Sequence, residues 1–395
     1  MSGEVPLARP GFGPEETEAV SQVLDSGWVS QGPRVEAFEQ GLAELLGCET
    51  VTAVNSGTSA LMLALRGLDI GAGDSVVVPA FGCAATALPV VETGARLLFA
   101  EVDPASFNVT WDTISRALEP DTRAVIVVHM FGQVSDTETI AAECKRRNLL
   151  LIEDAALALG ARRANRFAGT FGVAGCFSFH PRKILTTGEG GAVCTDDTEL
   201  AGRIRAARNY GAAQTAWARF QTHDGSPRGF SRLAFNCKLT DLQAAVGLVQ
   251  LRRLAGFIER RREIAVRYSR GLAGCRNLGL PVIPAAVHDH VFQAYVCTWM
   301  PDSLADNARD AVPLAKAESS LSRFKQTLTQ AGIAVSDAAQ FLPGLPVFGG
   351  QTLPGAWPVA QAVARLAFAI PIFPTMTEAQ IDRVIQTVQV ASQNC

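Results

Sequence analysis

"GCFSFHPRKILTTGEGG", residues 175–191, is the stretch on which the reading of this chain turns. An apolar run ends at Pro181, which has no N–H to give a central ladder, so the chain leaves a sheet there. A glycine-rich turn follows. Between them stands Lys183, in a chain whose other lysines are Lys145, Lys238, Lys316 and Lys325; arginine supplies nearly all the remaining positive charge. A guanidinium holds its proton, whereas a lysine amine that is desolvated or set beside an electron-poor group loses it and becomes a nucleophile. Taken alone, Lys183 reads equally well as a snorkelling surface side chain.

Working outward, "GCFSF" and "GAVCT" read as two strands flanking the TTGEGG turn, at the mixed edge of a sheet. Upstream, "VTAV", "SVVVPA", "ARLLFAEV", "AVIVVHMFG" and "LLLIEDAA" are short apolar runs. "SALMLALRGL" and "TIAAECKRRN" read as helices between them. Continuous apolar strands alternating with helices indicate a mostly parallel sheet covered on both faces. Downstream, residues 239–272 form the longest helical pattern, started by a capping box of Thr240 and Gln243. Gly256 either bends this helix or hands the chain to a second unit. The expected organisation is an N-terminal segment and large α/β domain over 1–255, then a smaller α+β domain over 256–395. That domain is read from a strand in "QAYVCTWM" and helices near 316–331 and 377–391.

Bulk properties narrow the function. At 395 residues, 48% hydrophobic and 18% charged, the chain suits a folded enzyme with more than one core. A net charge of −3 without a basic run gives no footprint for nucleic acid. Nine scattered cysteines with no CxxC pair fit reduced thiols in a cytoplasmic protein. No signal-peptide core is expected in "MSGEVPLARPGFGPEE", and Pro79 and Pro89 interrupt the longest uncharged stretch, so no membrane span is expected either.

Three polar features fall where strands end, which is where ligands bind in open α/β sheets. In "NSGTSAL", 55–61, Ser56, Gly57 and Thr58 open a helix; they form either a plain N-cap or a cup for a phosphate. Asp154 closes "LLLIEDAA" and either caps the next segment or faces a positive ligand group, with Glu153 pointing the opposite way. Lys183 is the third. A phosphate cup, a carboxylate and a lysine in that order match what pyridoxal 5'-phosphate needs at its phosphate, ring nitrogen and aldehyde. Neither GxxxxGK[ST] nor GxGxxG is present.

With "NSGTSAL", "IEDAA", "FSFHPRKILTTGEGG", "RNYG" and "FNCKLTDLQAAVGL", the chain resembles the DegT/StrS family of pyridoxal-phosphate sugar aminotransferases from about residue 10 onward. The resemblance implies the type I aminotransferase fold and a homodimer with active sites at the subunit interface. It implies that Lys183 carries the Schiff base and that Asp154 pairs with the ring nitrogen. Gly57 and Thr58 would bind the phosphate through main-chain amides beside the Ser178 hydroxyl, and Ala156 would pack beneath the ring. Asn236 would reach the phosphate across the dimer. The implied activity moves an amino group from an amino acid, typically L-glutamate, to a keto-sugar or related cyclic ketone in a biosynthetic pathway.

The chain departs from that pattern in places. Cys83 stands where relatives commonly stack an aromatic on the ring, with Phe81 as a possible substitute. Leu157 and Leu159 replace frequent polar residues, which implies a more apolar pocket. Two rival readings follow: decarboxylation, elimination or carbon–carbon bond formation on a non-sugar substrate, and a non-catalytic regulatory relative. His180 and Arg228 are candidate substrate contacts, with Arg208 and Arg232 further candidates for anions. "HDH" at 288–290 lacks a third metal ligand and reads as a solvated strand entry.

Overall fold

The computed structural model describes residues 3–212, 214–223, 229–230, 233–283, 289–300, 311–350 and 355–394. Two helices lead, α1 (Pro14–Ser26) and α2 (Pro33–Leu46). The first α/β half comprises β1 (Thr50–Val54), α3 (Gly57–Gly67), β2 (Ser75–Pro79), β3 (Phe81–Gly82), α4 (Ala84–Glu92), β4 (Arg96–Ala100), α5 (Trp111–Ala117) and β5 (Thr122–Val128). There follow α6 (Thr137–Arg146), β6 (Leu150–Asp154), a small hairpin β7 (Arg162–Arg163) and β8 (Arg166–Phe167), β9 (Ala174–Ser178), β10 (Gly191–Thr195), α7 (Thr198–Arg208) and α8 (Ala216–Thr222). The long α9 (Asp241–Gly271) leads to β11 (Leu278–Gly279), β12 (Tyr295–Trp299), α10 (Ala311–Gln330), β13 (Ser336–Asp337), β14 (Gln340–Phe341), α11 (Pro358–Leu366), β15 (Ala367–Ile370) and α12 (Glu378–Gln393).

The central sheet has seven strands in the order β1-β10-β9-β6-β5-β2-β4. From β9 to β4 all neighbours are parallel, while β10 runs antiparallel to both β9 and β1. Side-chain alternation then builds two cores. Cys176 and Val193 face the core shared with α3 and α7, while Phe177, Ala192 and Cys194 face the one shared with α2 and α9. Burial on both faces explains the unbroken apolar runs. One expectation is corrected: β9 and β10 do not form the edge. Fully buried β1 pairs with β10 in register from Thr50↔Thr195 to Val54↔Gly191 and is itself the edge strand.

Helix α9 starts at the expected capping box, the Thr240 hydroxyl accepting from Gln243 N at 3.2 Å. Asp241, in its first turn, is buried and accepts from the amides of Gly32, Arg34 and Val35, holding the start of α2. The helix passes Gly256 without a break, so the expected division at 255/256 falls inside one continuous element. Beyond it, β11-β12-β15-β13 form an antiparallel sheet whose core includes Trp299, Phe324 and Phe368. This second unit is tied to the first by β14, which pairs with β3 (Gln340↔Gly82, Phe341↔Phe81).

The strand entry at residues 289–290 is not solvated. His290 is buried, its Nδ1 accepts from Phe292 N at 3.0 Å, and its ring stacks on Phe292. Burial pushes its pKa down to about 3. His288 lies outside the described residues.

Candidate active site

The parallel strands deliver their carboxyl ends to one rim of the sheet, and the candidate residues meet there. Asp154 ends β6 opposite Cys176 of β9, and Ser178 follows two residues on. Ser178 is paired with Gly191 of β10, and Gly191 with Val54 of β1, so the Asn55–Thr58 segment lies next in the row. The closest approach is between Gly57 and Ser178: a Cβ on Gly57 would lie 2.7 Å from Ser178 Cβ. Gly57 is therefore required where helix and strand end touch. A Gly57→Ala protein is expected to bind pyridoxal phosphate about tenfold more weakly, because the start of α3 or Ser178 must shift to admit the methyl. Titration of the apoprotein followed by visible absorbance measures it, and unchanged affinity would refute the claim.

At the start of α3, Ser56 is the N-cap, its hydroxyl accepting from Ser59 N at 3.1 Å. The N-cap reading holds here. With the Ser56 hydroxyl spent on Ser59, the amides of Gly57 and Thr58 remain at the positive end of the helix, beside the Ser178 hydroxyl. That donor set suits a phosphate.

Lys183 is delivered by a tight turn. Its N–H donates to His180 O at 2.8 Å, and His180 Nδ1 accepts from Arg182 N at 3.2 Å. The turn returns through Thr187, whose N–H donates to Phe179 O at 3.0 Å, and Gly188 takes a positive φ of 84°. Burial lowers the Lys183 amine below its usual range, Asp154 and Cys83 oppose that, and Arg182 adds to it. The amine and the Asp154 carboxylate are thus within electrostatic reach of each other, which the sequence alone left open. Asp154 is buried; its Oδ1 accepts from Ala156 N at 3.1 Å and its Oδ2 from Thr86 Oγ1 at 2.6 Å. Thr86 was not singled out in the sequence, where one threonine in an alanine-rich helix carries no signal.

Other candidates are placed as follows. Cys83 is exposed at the N-cap of α4. Phe81 does not stand in for the missing ring-face aromatic, because it is buried against Phe107 and Phe131. Leu159 is likewise turned into the core, whereas Leu157 is half-buried. The His180 ring is part-exposed, with Nε2 3.9 Å from Glu189 Oε1. Asn236 is exposed, and its carbonyl accepts from Asn55 of the same chain at 3.5 Å. Arg208 is buried and bonded to Glu39 and the Ala53 carbonyl, so it braces β1 rather than awaiting an anion. Arg228 and Arg232 lie outside the described residues.

Glu153, beside Asp154 on β6, points to the opposite face as expected. It is fully buried on the other side of β6. Its oxygens accept from Gly169 N (2.9 Å), Phe171 N (2.6 Å) and Gly172 N (2.7 Å), and from His129 Nε2 at 2.9 Å. Its alternation away from Asp154 was legible; its partners were not.

Fold and site together define an α/β protein in which a lysine amine lowered by burial, a buried carboxylate and the N-terminus of α3 lie along one rim of the sheet. The chain belongs to the DegT/DnrJ/EryC1/StrS aminotransferase family, whose model matches residues 11–389. It is 35% identical to the dTDP-4-dehydro-2,3,6-trideoxy-D-glucose 4-aminotransferase of Saccharopolyspora spinosa, over 98% of this chain and 97% of that one. The crystal structure of the aminotransferase TlmJ from Streptoalloteichus hindustanus superposes with a TM-score of 0.88 at 32% identity, covering 99% of this chain and 100% of that one. The PLP form of the putative sugar aminotransferase Spr1654 from Streptococcus pneumoniae gives a TM-score of 0.87 at 25% identity, covering 99% of each chain. The protein is a pyridoxal-phosphate-dependent aminotransferase, and the expected type I fold is the one observed.

Proposed function

We propose that this enzyme aminates a keto-sugar, carried on a nucleotide as in the Saccharopolyspora relative, and that L-glutamate is the donor. The observation that carries this is Lys183, an amine lowered by burial and grouped with Asp154, on a chain that matches a keto-sugar aminotransferase along its whole length. Pyridoxal phosphate supplies an aldehyde for the amine and a ring that takes up electrons released at the donor carbon. The chain does the rest. Gly57, Thr58 and Ser178 would hold the phosphate, Asp154 would hold the ring nitrogen, and Ala156 would support the ring. Lys183 Nζ would take a proton off the donor carbon in the first half-reaction and give one to the sugar carbon in the second.

The enzyme works as a homodimer in the cytoplasm, with Asn236 reaching the partner's phosphate. Tyr210, Phe230, Leu233 and Phe235 expose large apolar surface beside the Asn55 end of β1, as an interface would. The eight described cysteines are all free, which suits a reducing compartment. No helix among the described residues is long and apolar enough to cross a membrane.

Adding L-glutamate to the loaded enzyme is expected to abolish its visible absorption band and release 2-oxoglutarate in a stoichiometric burst. A nucleotide-linked keto-sugar should then restore the band. If no amino acid removes the band, transamination is not the reaction.

A further inference from the structure

The Asp154 carboxylate is gripped from two separate elements. Its Oδ1 is held locally by Ala156 N, two residues further along the chain. Its Oδ2 is held by Thr86 from α4, across a sequence separation of 68 residues, at 2.6 Å. That length is within the range of strong O–H···O⁻ bonds to an ionised acceptor. The terminal torsion of an aspartate is broad, so a local partner alone leaves the carboxylate plane loosely set. A second donor from another element fixes it.

Thr86 is itself unable to follow the carboxylate if it turns. At the start of α4, Ala84 N donates to the side-chain oxygen of Gln340 at 3.2 Å. The preceding segment is pinned by the β3–β14 pairing and by Leu342 N donating to Ala80 O at 2.8 Å. The helix that carries Thr86 is therefore anchored to the second unit as well as to the sheet.

We infer that Thr86 is a positioning residue that orients Asp154 toward the ring nitrogen of the cofactor. This rests on the reading of Asp154 as the ring-nitrogen partner. A carboxylate out of plane with the ring holds the nitrogen's proton less firmly. The ring then withdraws fewer electrons, and the linkage to Lys183 keeps its own proton to higher pH.

The test compares Thr86→Val, Thr86→Ser and Asp154→Asn, measuring the dissociation constant for pyridoxal phosphate and the pH midpoint of the visible band of the loaded protein. Thr86→Val is expected to raise the dissociation constant about tenfold, the loss of one hydrogen bond to a charged group, and to move the midpoint to higher pH. Thr86→Ser should restore both, and Asp154→Asn should displace both at least as far. Thr86→Ala gives the same comparison without any added atom if the valine protein does not fold. An unmoved midpoint in Thr86→Val, with Asp154→Asn displaced, overturns the role of Thr86 alone. An unmoved midpoint in Asp154→Asn overturns the reading of Asp154 and this inference with it. An impaired serine variant beside a valine variant that behaves like the parent means that the methyl packing, not the hydroxyl, matters, and also overturns it.

Discussion

Lys183→Ala is expected to lower amino transfer by about 10⁴-fold, the range set by losing a positioned proton carrier, with loss of the covalent cofactor linkage besides. Borohydride reduction of the native holoenzyme should fix the cofactor mass on the peptide containing Lys183 and leave the variant unlabelled. Stability should move the other way. Burial lowers this amine below its usual 10.5, so below the folded-state pKa the fold bears the full cost of holding a half-buried ammonium. Between that pKa and 10.5 the unfolded chain binds the proton that the folded chain has shed, so stability rises with pH across this window. The alanine apoprotein should therefore melt at or above the native apoprotein at pH 7, and the gap should narrow toward pH 10. A variant that kept the parental rate, or that melted well below the parent at pH 7, would contradict the assignment.

Glu153→Leu carries the largest expected loss of stability. The carboxylate is the shared acceptor for the amides of Gly169, Phe171 and Gly172 and for His129 Nε2. His129 Nδ1 accepts from Ser135 N at 3.2 Å, which puts the ring proton on Nε2 and aims it at Glu153. Removing the carboxylate strands several buried donors at once, a cost of about 3–5 kcal/mol. The melting temperature should fall by about 5 °C. Glu153→Gln keeps an acceptor and should cost roughly half as much. Because Glu153 fastens the 169–172 turn to β6 beside Asp154, the leucine variant should also bind pyridoxal phosphate more weakly. Urea or thermal melts with and without cofactor read both effects. Wild-type stability in Glu153→Leu would mean that those amides find other partners.

Local chemistry made much of the site readable. Lys183 stood out through the scarcity of lysine, Asp154 through its place at a strand end, and Ser56–Thr58 through the strand-to-helix junction. Gly57 read as part of a helix start, but the Ser178 that packs against it comes from a strand more than a hundred residues later. Phe81 and Leu159 are buried in the two cores, and no local pattern in their segments marks which way they face. Thr86, Glu153's partners and the bond from Gln340 to α4 were invisible, since each is a contact between segments with no shared motif.

The linear chain alone determined the α/β alternation, the capping of α9 at Thr240, and that a lysine, a carboxylate and a helix start fall at strand ends. These follow from residue type and from spacing within single elements. Only the tertiary structure decided that β1 rather than β9–β10 forms the sheet's edge, that Ser178 abuts Gly57, and that Asp154 is held by Thr86. Register and long-range hydrogen bonds depend on how separate faces are buried against one another, and no stretch of the chain encodes that on its own.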